Sequence, residues 1–214
     1  MNNGTWTRGA ALWMVAGAVW LGAAATGLGM MAAYANRPGA AAQAPAEWPM
    51  HSRLQRRPGT PALVMLAHPR CDCTRASLAE LAELMARMPH RADAFLVFIT
   101  PPGATEDWGQ TELWRRAVHI PGVTAVRDDG GVEAARFGAQ TSGQTLLYDA
   151  SGRLVFDGGT TGARGHVGEN AGFDAIAARL GDTTRDRAST PVYGCDLFAP
   201  QDDARSMRVK SHGN

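Results

Sequence analysis

Cys71 and Cys73 stand one residue apart in "HPRCDCTRASLAEL", residues 68–81, and a third cysteine, Cys195, lies far along the chain in "TPVYGCDL". A thiolate is both a nucleophile and a soft metal ligand, so the pair points to thiol–disulfide exchange or to metal holding. Two buried, unreactive thiols are the remaining alternative, and the polar neighbours Pro69, Arg70, Asp72 and Arg75 argue against it. At a helix start the macrodipole and the unpaired N–H groups favour thiolate over thiol. Arg70 and Arg75 act in the same direction, whereas Asp72 opposes by its charge and is a candidate helix cap. A Cys71–Cys73 disulfide would close a small, strained ring, and strained disulfides are labile and oxidising. In that reading Cys71 attacks and Cys73 resolves. Cys195 makes the count odd, which in an exported protein means a free thiol, an intermolecular bond or a resolving partner in exchange.

The other residue types with chemical potential sit in "GGTTGARGHVGENAG", where six glycines in fifteen residues accompany Arg164 and His166. The segment lacks the Lys-Ser/Thr ending of a phosphate loop, so a nucleotide is not expected. Arg164 and His166 are read as a loop brace or as support for the cysteines. His51, His90 and His119 have the context of surface residues, and His212 lies in the tail. With a formal net charge of +1 and its Lys and Arg scattered, the chain carries no footprint of nucleic-acid binding.

Several elements must place these residues. Residues 9–36 contain no charge and supply the ~20 apolar residues of a membrane-spanning helix, preceded by a short tail at 1–8; a signal peptide cleaved near "AYA" at 33–35 is the rival, against which the length of the apolar stretch argues. The near balance of Arg8 against Arg37 and Arg53 leaves orientation to other arguments; the short N-terminal tail and the cysteines place the domain outside the cytoplasmic membrane. Residues 37–60 are rich in Pro, Ala and Gly without periodicity and read as a linker. From 61 to 181 strand and helix signals alternate. "ALVMLAH" and "AFLVFIT" are buried strands, Leu78, Leu81, Met85 and Met88 mark a helix, and "TELWRRAVHI", "VTAVRDD" and "GVEAARFG" follow as helix, strand and helix. Two strand-like runs then flank Asp149-Ala150-Ser151-Gly152, the pattern of a hairpin, and "AGFDAIAARL" closes as a helix. Residues 182–214 form a polar tail, within which 190–198 is apolar enough to dock.

The strand running into "HPRCDC", the following helix, "FGAQTSGQTLLYDASG" and "GRLVFDGG" together resemble the thioredoxin-like superfamily, particularly its membrane-anchored members. With "TSG", "GGTTGARGHVG" and "TPVYGCDL" added, the likeness is narrower, to the bacterial RedB proteins. The resemblance implies an α/β fold with a mixed sheet flanked by helices, preceded by one transmembrane helix. It also implies protein thiols or disulfides as partners and no cofactor. Two departures stand out: the spacing is Cys-x-Cys instead of Cys-x-x-Cys, and the superfamily's cis-proline falls at Gly143. Glycine there leaves Thr141 and Ser142 as the polar edge beside the cysteines and is expected to tolerate replacement by proline. Copper-delivery members of the superfamily join a cysteine pair to a distant histidine. Under that second reading Cys71, Cys73 and His166 hold Cu(I), and a third reading is a non-catalytic binding module on the same scaffold.

Overall fold

The computed structural model describes residues 4–184, 186 and 188–198. The chain divides between Arg37 and Pro38 into two compact units. In the first, α1 (Gly4–Ala35) carries no charged residue from Gly9 onward, with Trp13, Trp20, Met30 and Met31 all exposed. Its stretch Gly9–Ala35 is long and apolar enough to cross a membrane.

The second unit is α/β. In chain order it contains β1 (Ala62–Ala67), α2 (Asp72–Arg87), β2 (Asp93–Thr100), α3 (Glu106–Gly109), α4 (Glu112–Ala117), β3 (Val123–Asp129), α5 (Val132–Arg136), β4 (Gln144–Tyr148), β5 (Leu154–Gly158), α6 (Ala171–Leu180) and β6 (Ala188–Ser189). The strands form one sheet in the order β3-β2-β1-β4-β5-β6. β1, β2 and β3 run parallel, β4 is antiparallel to β1, and β5 is antiparallel to β4. β1 and residues 94–99 of β2 are continuous apolar runs because both faces of the sheet centre are covered.

Alternate residues of each strand feed two cores. Leu63, Met65, Leu96, Phe98, Leu147 and Phe156 pack against α2, α4 and α6. Val64, Leu66, Val97, Leu146 and Tyr148 face the other way, where α5 contributes only five residues. The shortfall in cover on this face is met by chain without regular structure. Residues 38–60, expected to be a free linker, are laid along the domain instead. Leu54 is buried there, and the Trp48 ring packs edge-on against Phe137 and Tyr148 at 5.2 and 5.3 Å. Backbone bonds fasten this arm: Gln43 N–H to Gly138 O, Trp48 N–H to Gly152 O and Leu154 N–H to Ala46 O, at 3.0, 2.8 and 2.8 Å. The physical reason is that an apolar sheet face left bare costs more than ordering an extended segment that can both bury side chains and satisfy its own backbone groups.

At the other end of the chain, residues 190–198 also lie on the domain, with Val192 and Leu197 buried. Residues 199–214, including His212, lie outside the described residues.

Candidate thiol site

β1 delivers the chain to the sheet's edge at His68, and α2 starts four residues later at Asp72, so Cys71 falls at the helix N-cap. The cap is therefore Cys71 and not Asp72, which occupies the first turn. The Cys71 sulfur closes no strict capping hydrogen bond, yet the backbone N–H groups of Cys195, Thr74 and Cys73 face it and favour its charge. Cys73 is half-buried in the first turn, where Arg164 hydrogen-bonds to it.

Cys195 completes the arrangement. Its sulfur lies 2.8 Å from that of Cys71, and all three sulfurs lie within 4.8 Å of one another. Among the described residues His166 does not join this group; it is exposed on its loop. The three thiols differ in charge preference. Hydrogen bonding from the Cys195 thiol lowers Cys71 from 9.0 to about 5, against the opposing effect of its burial. The same contact raises Cys195 far above the ordinary thiol range, because losing its proton would set two thiolates side by side. Burial raises Cys73, with the neighbouring Cys71 charge second and Arg164 acting the other way. The favoured state near neutral pH is one thiolate, Cys71, receiving a hydrogen bond from Cys195.

Gly143 carries φ of +91°, a left-handed conformation open to glycine, and its N–H donates to Leu66 O at 2.8 Å. Proline is restricted to φ near −65° and has no N–H, so the expected tolerance of proline at this position is overturned. That backbone bond prolongs the β1–β4 pairing and brings Ser142 against the helix start. A closed ring of three bonds results: His68 N–H donates to Ser142 Oγ at 2.9 Å, Ser142 and Thr74 hydroxyls meet at 2.9 Å, and Thr74 Oγ1 donates to His68 O at 3.1 Å. Since Thr74 spends its one proton on His68 O, Ser142 is the donor to Thr74. Ser142 thus holds the loop to the helix start.

The glycine-rich loop is held from α2. Glu80, buried, accepts from Gly168 N–H at 2.7 Å and from Asn170 Nδ2 at 3.3 Å, and Asn170 Oδ1 in turn caps α6 by accepting from Phe173 N–H at 2.7 Å. This places Arg164, which donates to Gly194 O next to Cys195 as well as reaching Cys73.

The sequence reading passed over His68, Thr74, Glu80 and Trp108. His68 and Thr74 flank the cysteines and were findable from that adjacency. Trp108, on the four-residue α3, gave no periodic signal; it lies under Arg70, whose guanidinium carbon is 4.7 Å from the ring centroid, and touches the His68 ring edge-on.

A central parallel β1–β2 pair with β4 antiparallel, and a thiol at the N-cap of the helix that follows β1, decide the architecture. The fold is thioredoxin-like. No protein-family profile matches the chain, and no curated protein matches it. Among solved structures, an uncharacterised conserved protein from Geobacillus kaustophilus is similar at 16% identity and a TM-score of 0.53, covering 78% of this chain and 94% of that one. A hypothetical protein from Sinorhizobium meliloti is similar at 20% identity and a TM-score of 0.51, covering 75% and 93%. A putative thiol:disulfide interchange protein DsbE from Chlorobium tepidum is also similar, at 16% identity, a TM-score of 0.40 and coverage of 67% and 98%.

Proposed function

We propose that this is a membrane-anchored thiol–disulfide oxidoreductase of the RedB kind, with Cys71 as nucleophile and Cys195 as the thiol that resolves its mixed disulfide. The observation that carries the reading is the 2.8 Å approach of Cys195 Sγ to a cysteine at a helix N-cap. It moves the resolving role from Cys73, whose i, i+2 spacing strains a ring, to a thiol free of that constraint.

The exchange balances as follows. The Cys71 thiolate attacks one sulfur of a partner's disulfide; that S–S bond breaks, and the second partner sulfur leaves as thiolate and takes a proton from solvent. Cys195 then attacks Cys71 Sγ, expelling the first partner sulfur as a thiolate, and the proton that Cys195 releases passes through solvent to that thiolate. The partner's disulfide gains two electrons and the Cys71–Cys195 dithiol loses them; the reverse sequence donates the bond. Arg164, bonded to Cys73 and to the carbonyl before Cys195, positions both around Cys71.

The experiment reacts the purified, reduced full chain with a model disulfide and maps the internal bond by non-reducing peptide analysis. A Cys71–Cys195 linkage is expected, and an inert chain or a Cys71–Cys73 linkage would overturn the assignment. The placement of the domain outside the cytoplasmic membrane rests on the apolar stretch Gly9–Ala35 and on cysteines poised for exchange, which an exported domain keeps oxidisable. Active carboxy-terminal reporters of the exported type are expected, and activity of a cytoplasmic reporter alone would refute the placement.

A second reading is favoured by the three sulfurs within 4.8 Å of one another. Soft thiolates select Cu(I), and a metal–sulfur distance of about 2.3 Å puts three trigonal sulfurs about 4 Å apart, so holding one ion requires the 2.8 Å approach of Cys71 to Cys195 to widen within the 4.8 Å that spans the three. In this copper-chaperone reading Cys195 takes the place first given to His166. Stoichiometric Cu(I) uptake in a competition titration supports it if each Cys→Ser change weakens uptake and His166→Ala does not.

A further inference from the structure

Cys71 is only 4% exposed, which conflicts with a role that needs an outside sulfur to reach it. What covers it is the segment that carries Cys195. Cys195 O accepts from Ser142 N–H at 2.8 Å, Leu197 N–H donates to Gln140 O at 2.9 Å, and Thr141 and Asp196 form an antiparallel bridge. Gly194 lies so close to Ser142 O that a Cβ on it would come within 1.8 Å. The segment is thus an extended chain paired along the backbone edge of residues 140–142, with a cysteine delivered to the Cys71 sulfur. Adding a strand to an open edge is a general way of holding an extended peptide, with backbone bonds giving affinity and one side chain giving specificity. This segment has no strand partner on its far side among the described residues, and Cys195 itself is exposed.

We propose that residues 192–197 are an internal occupant of this edge, presenting Cys195 to Cys71 as a partner's cysteine must be presented, and that exchange with an external chain requires the segment to leave. This rests on the redox reading above. The external partner it fits is an extended polypeptide with an accessible cysteine or disulfide, able to replace the two backbone bonds that the segment makes with the 140–142 edge. Val192 and Leu197 hold the segment by burial, Gly39 N–H donates to Val192 O at 2.8 Å, and Arg164 donates to Gly194 O, so departure breaks a small, defined set of contacts. The segment's return then brings Cys195 back for the resolving step.

The test uses the full chain carrying Cys73→Ser and Cys195→Ser, so that only Cys71 forms an adduct, with and without Gly194→Val. The probes are an extended peptide whose single cysteine is activated as a mixed disulfide, and hydroxyethyl disulfide. Crowding at position 194 should expel the segment and speed peptide adduct formation about tenfold, the worth of one or two backbone hydrogen bonds. An unchanged or slower rate in a chain with unaltered circular dichroism overturns the inference. Amide exchange on the peptide adduct of the chain that keeps Gly194 gives an independent measure: Leu197 N–H should lose protection while Ser142 N–H keeps it. Leu197 protected equally in the adduct and the free chain would overturn the inference, whereas failure of Cys71 to react with either disulfide refutes the redox reading itself.

Discussion

The charge on Cys71 depends first on a single neighbour, because the Cys195 thiol donates to it and outweighs the cost of burial. Cys195→Ala should therefore move the Cys71 titration upward from about 5 towards its ordinary 9.0, read as thiolate ultraviolet absorbance or alkylation rate against pH; an unmoved midpoint would show that the helix amides suffice. The same shift makes stability depend on pH. With a folded pKa of about 5 and an unfolded value of 9.0, Cys71 stabilises the reduced domain fully above pH 9, progressively less as pH falls towards 5, and not at all below. Cys195, raised on folding, opposes above pH 9 by holding a proton that the unfolded chain releases. Reduced wild type should gain stability between pH 5 and 9 relative to Cys71→Ser, as measured by denaturant midpoints; parallel profiles would contradict the lowered pKa. Gly143→Pro should cost about 3 kcal/mol or more, since it removes the bond to Leu66 O and cannot adopt φ of +91°.

Among the elements, the arm at 38–60 decides where the folded domain begins. A fragment starting at Pro38 keeps Trp48 against Phe137 and Tyr148 and Leu54 in the core, and should unfold cooperatively; one starting at Pro61 strips both side chains and leaves the sheet face open. Trp48→Ala alone should cost about 2 to 3 kcal/mol, towards the low end for a buried aromatic because the ring is only half-buried. Equal midpoints for the two fragments would restore the linker reading. The contrast shows what a sequence can and cannot disclose. α2 is legible because its apolar residues follow the helical period, and β1 and β2 because short unbroken apolar runs bounded by turn residues mark strands buried on both faces. The arm was not, because an extended segment docked by isolated backbone bonds has no period of its own. α3, with four residues, and β6, with two, fall below the length at which a period exists. The Cys-x-Cys pair announced itself by spacing, whereas the meeting of Cys71 with Cys195 depends on pairing between 140–142 and 195–197, which local sequence does not encode.

For the whole molecule, the choice of resolving thiol sets how far oxidation tightens the fold. A bond between Cys71 and Cys195 spans 124 residues and so ties the end of β1 to the segment after β6, enclosing the remaining strands of the sheet. Restricting the unfolded chain over a loop of that length stabilises the native state by on the order of 4 to 5 kcal/mol, whereas a Cys71–Cys73 bond closes a loop too short to restrict it appreciably. The lowered Cys71 pKa acts in the opposite direction, since it stabilises the reduced folded form and thereby makes the disulfide a better oxidant. The two effects separate experimentally because only the second varies with pH between 5 and 9. Denaturant unfolding of the oxidised and reduced chain at pH 5, where the Cys71 contribution is weakest, should show the oxidised form more stable by several kcal/mol, with the gap narrowing towards pH 8. Indistinguishable midpoints at pH 5 would place the bond at Cys71–Cys73 and remove Cys195 from the exchange.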